Sequence, residues 1–383
     1  MDLQKQPRTK QSVTMICIAV LCAALVAVLA VVGSIYLAVS GQNKKNMHLS
    51  FWDSSFTVET AFCDPAGGVT LVVSEVSKGS EYESDNAIEL RGALPKRNMP
   101  LTVTDDVTTY VSEDIYYTAD CALSEGKLVT YYVLYIPQTQ GDLTLDINGK
   151  SVPVRLTYAQ DITPYTDTME SAVGDLTMES YYLGGNICAV WCKADTDTDI
   201  KSIGLTGLDV KYTSDIVYRD LLVQMPQNGN ASLQLLCLMG TKPGYKKDAR
   251  VATSFQYDGF YYELEADINA KLPVVTQESA LNQTVDAENG ITVGKVVRRT
   301  KQVLCYLNTA TKTDSLVSAK GYIGAVNVAL TDAQKRTNAS LSGDYVVVNG
   351  ASSNEGDSLQ LQVTSLTYAV TKPTASAPFT KTK

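Results

Sequence analysis

The sequence predicts an all-β protein, with three tandem β-sandwich domains set behind one N-terminal transmembrane helix. Three observations predict it. Residues 15–39 form an uncharged apolar stretch. The remainder is rich in Tyr, Thr and Val, with 22 Tyr against 6 Phe, residue types that suit a pleated, half-buried strand. A short strand–turn–strand pattern recurs at a spacing of about 115–120 residues, which suits one sandwich per copy.

The chain begins with a short tail, residues 1–14. It carries +2, from Lys5, Arg8 and Lys10 against Asp2, and the total of −9 leaves −11 beyond it. Met15–Val39 follows, 25 residues without a charge. As a helix it measures about 37 Å, against a hydrocarbon core of about 30 Å. The alternative is a cleaved leader, since Ala38-Val39-Ser40 offers small residues at a cut site. Leader cores are far shorter than this segment, which favours a retained anchor. Cys17 and Cys22 follow Ile16 and Leu21, which does not fit lipid attachment. The basic residues ahead of the helix exceed Lys44 and Lys45 behind it by one, giving a cytoplasmic N-terminus and an extracytoplasmic remainder.

Beyond the anchor, Phe56-Thr57-Val58-Glu59-Thr60 resembles Leu176-Thr177-Met178-Glu179-Ser180 and Ile291-Thr292-Val293-Gly294-Lys295. A second apolar run falls in step: Val69 to Val73, Ala189 to Cys192, and Leu304 to Leu307. Turn residues separate the runs at Asp64 to Gly68 and at Gly184-Gly185, with Arg298-Arg299-Thr300 in the third copy. The first copy closes on a hairpin. Leu143 and Leu145 are expected to face Val154 and Val152 across Asn148-Gly149, and Pro153 marks an edge strand. A similar hairpin is expected at Asp258-Gly259, between Tyr257 and Phe260. Two strands, Leu359 to Val363 and Leu366 to Val370, end the third copy after Glu355-Gly356-Asp357. Helical periodicity is scarce, and Ser214 to Leu222 or Thr331 to Arg336 are the places for a short turn or helix. The domains are therefore expected at 48–158, 162–271 and 278–370, with a disordered tail at 371–383.

The third copy carries Gly290 to Val297 (GITVGKVV), Gln302 to Asn308 (QVLCYLN) and Val326 to Arg336 (VNVALTDAQKR). These resemble the small extracytoplasmic immunoglobulin-like or telokin-like domains of Gram-positive membrane proteins and lipoproteins. The resemblance covers about a quarter of the chain. It implies immunoglobulin-like sandwiches and no catalytic residues. Similar ectodomains occur on anti-sigma factors, but a tail of about 14 residues is too short to fold a sigma-binding domain.

Candidate chemistry is sparse. The acidic balance disfavours nucleic acid, whose phosphates need a basic face. His48 is the one histidine, so no Ser-His-Asp triad or His-rich zinc site assembles without it. Outside the anchor lie Cys63, Cys121, Cys188, Cys192, Cys237 and Cys305. In the repeat, Cys188 aligns with Val303, Cys305 with Val190 and Cys192 with Leu307, so cysteine stands in for core hydrophobes. A Cys63–Cys121 disulfide is the rival reading. Asp195-Thr196-Asp197-Thr198-Asp199 suggests a calcium loop, but Ile200 and Thr206 stand where an EF-hand needs Gly and Glu. Asp105-Asp106, Glu113-Asp114 and Glu263 with Glu265 are the paired carboxylates a glycosidase would use, a pattern any acidic β-protein offers. There is no G-x-x-x-x-G-K-[ST] or G-x-G-x-x-G loop. Sequons fall at Asn230, Asn282 and Asn338. The pairs Tyr116-Tyr117, Tyr131-Tyr132, Tyr181-Tyr182 and Tyr261-Tyr262 put one ring on each strand face, and the outer ring is available to a glycan or a protein.

No catalytic residue, cofactor or metal ligand is therefore expected. The reading is a non-catalytic binding or structural protein of the cell envelope. It would meet the lipid bilayer through residues 15–39 and an envelope protein or wall polymer through its sheets. The alternatives are a sensing or accessory subunit whose helix makes close contacts at Gly33 and Ser34, and a carboxylate-dependent glycoside hydrolase.

Overall fold

A computed structural model describes residues 54–81, 101–111, 113–124, 127–147, 150–184, 187–212, 219–239, 252–309, 314–325, 339–351 and 356–379. The tail 1–14, the apolar segment 15–39, His48, Asn338 and the candidate helix Thr331 to Arg336 lie outside these residues. Among the described residues no helix is long and apolar enough to cross a membrane. The described part is β-structure, with one 3-10 turn at Ala159–Asp161.

The first unit contains β1 (Ser54–Cys63), β2 (Val69–Glu81), β3 (Leu101–Thr104), β4 (Thr109–Tyr110), β5 (Tyr116–Ser124), β6 (Lys127–Ile136), β7 (Leu143–Ile147), β8 (Lys150–Val154) and β9 (Thr157–Tyr158). They form sheet A, in the order β5-β6-β2-β1-β9, and sheet B, β4-β3-β7-β8. Ala61, Leu71, Val73, Leu134 and Ile136 of sheet A share a core with Val103, Leu143, Leu145 and Val154 of sheet B. This is a β-sandwich. The β7–β8 register is the one expected, with Leu143 opposite Val154 and Leu145 opposite Val152, and β8 is an edge.

The second unit contains β10 (Tyr165–Ser171), β11 (Gly174–Gly184), β12 (Ile187–Asp195), β13 (Ile200–Thr206), β14 (Asp209–Tyr212), β15 (Arg219–Gln224), β16 (Ala231–Met239) and β17 (Ala252–Leu272). The third contains β18 (Glu278–Asp286), β19 (Ile291–Arg298), β20 (Gln302–Thr309), β21 (Ser315–Ala325), β22 (Ala339–Ser342), β23 (Tyr345–Ala351) and β24 (Leu359–Pro378). Sheet C is β10-β11-β12-β16-β15 and sheet E is β18-β19-β20-β23-β22. Sheet A follows the same plan, except that its last position is taken by β9, parallel to β1. In each sheet the repeated sequence forms the central hairpin. Met178 lies opposite Cys192, and Val293 opposite Leu307.

Sheet D draws its strands from both the second and the third unit. Its order is β13-β17-β24-β21, with β14 also on β17. Strands β17 and β24 are topological counterparts of β7, and they pair antiparallel from Ser254–Pro378 to Leu272–Leu359. One hydrophobic core therefore runs through both units, from Met178, Val190 and Phe260 to Val293, Cys305 and Val363.

Three local expectations are corrected. The Asp258-Gly259 hairpin is absent, because β17 runs straight through it. Gly259 has φ +137°, and a Cβ there would sit 2.0 Å from the Val370 carbonyl oxygen. The glycine serves a close approach of two strands, not a turn. The tail is ordered through Phe379, which is fully buried. Arg219–Leu222, placed in a candidate helix, lie in β15.

The continuous apolar runs also have a cause. Sheet A is covered on both faces. Phe62, Val72, Val133 and Tyr135 share a second core with Ala189, Trp191, Leu233 and Leu235 of sheet C. Sheet C is covered likewise, since Cys188, Val190 and Cys192 face the core shared with sheet D. A strand buried on both faces loses the polar alternation of a half-exposed one.

Candidate functional site

Buried tyrosines organise the polar chemistry. A tyrosine ring suits a sheet core, but its hydroxyl needs a partner once buried. Among the described residues, six tyrosines donate to carboxylates. Tyr110 reaches Asp105 at 2.8 Å, Tyr132 Glu75 at 2.5 Å, and Tyr135 Asp64 at 3.1 Å. Tyr181 reaches Glu179 at 2.5 Å, Tyr262 Asp314 at 2.7 Å, and Tyr257 meets Asp167. In the pairs Tyr131-Tyr132, Tyr181-Tyr182 and Tyr261-Tyr262, one ring of each is buried.

The environments differ. Asp64 closes the β1–β2 turn, accepting the N–H groups of Ala66 and Gly68 at 2.9 and 3.0 Å. Burial nonetheless pushes its carboxyl above the usual range, against the lowering effect of these bonds and of Tyr135. Between β10, β17 and β24, Lys372 meets both Asp167 and Tyr257, and sits 4.7 Å from the Tyr257 ring. Burial would raise Asp167, but Lys372 and Tyr257 outweigh it and hold the carboxyl below its ordinary value.

Asp105 organises a turn. Its Oδ1 accepts the N–H groups of Val107 and Thr108 at 2.9 and 2.7 Å. Its Oδ2 accepts Tyr110 Oη and the Gln140 N–H at 2.8 and 3.0 Å. Desolvation works to raise it, yet these bonds bring it from 3.8 down to about 2. The folded value lies below the unfolded one. Its contribution to stability is therefore full above about pH 4 and is lost as pH falls through about 2. Asp105→Asn is expected to lower stability at neutral pH and to flatten the acid limb between those values. Thermal melts across that range check it; an unchanged acid limb would count against the turn's role.

The other carboxylate pairs are also engaged. Glu263 pairs with Lys320 at 2.5 Å and Glu265 with Lys201 at 2.9 Å. Asp114 accepts the Val111 N–H at 3.1 Å. In the Asp195–Asp199 loop the ordering group is Asn230. Its Nδ2 donates to the carbonyls of Thr196 and Thr198, and its Oδ1 accepts the Ile200 N–H. A glycan on Nδ2 of this sequon asparagine would take one of the two donors that hold the loop, whereas Asn282 is exposed. Among the described residues no group of His, Cys, Asp and Glu is arranged for a metal ion.

Cys188, Cys192 and Cys305 are fully buried and free. Desolvation pushes Cys188 up to about 12 and raises the other two. Cys63 is free as well. The sheet explains why the disulfide to Cys121 fails. Cys121 pairs with Thr130, Thr130 with Glu75, and Glu75 with Phe56, seven residues before Cys63. At about 3.3 Å per residue and 4.8 Å per strand the two lie roughly 25 Å apart, beyond bonding reach. In native protein a bulky thiol reagent is expected to miss Cys188, Cys192 and Cys305 and to label all three in denaturant. Native labelling of any of them would place it outside the core.

Two concavities among the described residues are lined by polar groups. One, of about 650 Å³, is edged by Asp199, Glu265, Asp267, Asp286 and Glu288 where the second and third units meet. The other, of about 380 Å³, lies where the β9–β10 linker, sheet C and the end of β24 converge. Its lining includes Thr157, Asp161, Thr163, Tyr165, Tyr182 and Pro378. Of these only Tyr182 carried a signal in the sequence, as the outer ring of a Tyr-Tyr pair. The rest come together through the topology.

These sheets define an all-β protein of face-packed sandwich layers. No family model matches the chain, and no curated protein matches it. Among solved structures, the I9–I11 tandem of titin is similar over 85% of this chain and 98% of its own, at 8% identity and a TM-score of 0.15. Collagen adhesin from S. aureus is similar over 54% of this chain and 85% of its own, at 9% identity and the same TM-score. At that TM-score neither likeness adds to the fold seen in the sheets.

Proposed function

We propose that this chain is a membrane-anchored, extracytoplasmic binding or structural protein of the cell envelope, built of immunoglobulin-like units and without catalytic activity. The observation that carries the reading is the 25-residue uncharged segment Met15–Val39 ahead of the stacked sheets. Two further features support it. Apolar cores between successive sheets make the ectodomain a stiff body suited to presenting a surface. The carboxylates a hydrolase would draw on at Asp105, Glu263 and Glu265 are engaged in turns and ion pairs. In this reading the N-terminal tail is cytoplasmic, and the partner is an envelope protein or a wall polymer.

The test is fractionation of cells expressing the full chain with a tag at either end. The protein is expected to stay with membranes through an alkaline carbonate wash. External protease should remove the C-terminal tag and spare the N-terminal one. Release by carbonate, or protection of the C-terminal tag, would overturn the reading.

A further inference from the structure

We infer that the cavity between the β9–β10 linker, sheet C and the end of β24 binds a neutral sugar unit of an envelope polysaccharide. This rests on the extracytoplasmic reading and names the ligand class for it. A pyranose has an apolar C–H face and a rim of hydroxyls that both donate and accept. It calls for aromatic surface, hydroxyls and a carboxylate at close quarters. The cavity supplies them: the rings of Tyr165 and Tyr182, the hydroxyls of Thr157 and Thr163, and the Asp161 carboxylate. Its volume of about 380 Å³ lies at the small end of ligand pockets, room for one or two sugar rings.

Two further observations favour this assignment. The first is how the polar groups are used. Six tyrosines elsewhere give their hydroxyls to carboxylates of the protein. Tyr182 and Asp161, two of the lining residues, make no side-chain hydrogen bond to a described residue, so their hydrogen-bonding capacity is open to a ligand. The second is rigidity. Tyr165 is tied to Tyr257, which belongs to the Asp167–Lys372 network, so one wall is fixed before any ligand arrives. A pre-formed wall lowers the ordering cost of binding. The sign of the charge sets the class. Among the described residues Asp161 is the one charged group in the lining, and it disfavours an anionic polymer.

The test uses the full chain in a lipid nanodisc, with a glucose tetramer and an N-acetylglucosamine tetramer as probes, followed by saturation-transfer NMR and calorimetry. At least one probe is expected to bind. Affinity is expected to fall about tenfold in both Asp161→Ala and Tyr182→Phe. Asp161 is exposed, and Tyr182→Phe keeps the ring, so both variants should retain the wild-type melting temperature. Tyr116→Ala, on an exposed ring of sheet A, should bind as wild type. Binding of neither probe would overturn the inference, as would binding that Asp161→Ala and Tyr182→Phe leave unchanged. If the chain still resists carbonate and exposes its C-terminus to protease, the sugar assignment fails and the envelope reading stands. If it is released from membranes, the envelope reading itself fails.

Discussion

Deleting residues 371–383 is expected to unfold the fused second and third units rather than trim a loose end. Strand β24 continues past Val370 to Pro378, with Thr371 opposite Gly259 and Ala377 opposite Phe255. Phe379 follows, fully buried, and its N–H donates to the Thr253 carbonyl at 3.0 Å. Lys372 supplies the counter-charge to Asp167. Removing the segment opens the Phe255 side of the core, strips ladder bonds from β17 and leaves a half-buried carboxylate without its cation. The Phe379 ring alone is worth about 3–5 kcal/mol on truncation to alanine. Phe379→Ala should therefore lower the melting temperature by roughly 10 °C, since each kcal/mol moves a body of this size by about 2–4 °C. The deletion should cost more. Calorimetry of the full chain decides it: an unchanged endotherm in the deletion variant would mean the last strand contributes nothing.

The second large effect concerns Asp314. Its side chain is buried and its Oδ2 accepts from Tyr262 Oη at 2.7 Å and from the Ala172 N–H at 2.9 Å. Ala172 lies in the β10–β11 turn of the second unit, while Asp314 leads into β21 of the third. Tyr262 stacks on Tyr368 at 5.4 Å, near the middle of the β17–β24 ladder. Asp314→Ala leaves a buried hydroxyl and a backbone donor unpaired, for about 3 kcal/mol. Tyr262→Phe removes one of those donors, so the double variant should cost less than the sum of the singles. Urea unfolding should show the second and third units losing stability together. Two separate transitions, with only one moved by Asp314→Ala, would show that the shared core does not couple them.

How much was legible in the sequence follows from how local each signal is. The three central hairpins could be read because Val58, Met178 and Val293 sit in short alternating runs beside a turn. The β7–β8 register followed from Asn148-Gly149 and period two. The burial of Cys188, Cys192 and Cys305 followed from their alignment with valine and leucine. Sheet D was hidden because its pairing is long-range, and Asp258-Gly259 carries the same residues as a tight turn. The tail held a weak signal in Ala375, Ala377 and Phe379, spaced by two, which its Thr, Ser and Lys neighbours obscured. The distant tyrosine partners were beyond reach, since Asp64 lies 71 residues from Tyr135 and Asp167 lies 90 from Tyr257. The cavity lining was hidden for the same reason.

The long β17–β24 ladder also dictates an order of assembly during synthesis. The first sandwich takes all its strands from residues up to Tyr158 and can close as soon as they emerge. The second unit cannot. Strand β17 exposes an edge that waits for β24, and Ser254 meets its partner only when Pro378 has been made. Until then the chain carries an open apolar sheet through the whole synthesis of the third unit, the interval in which an unpaired strand is most prone to wrong partners. A protein built this way depends on Leu359–Pro378 following β17 promptly.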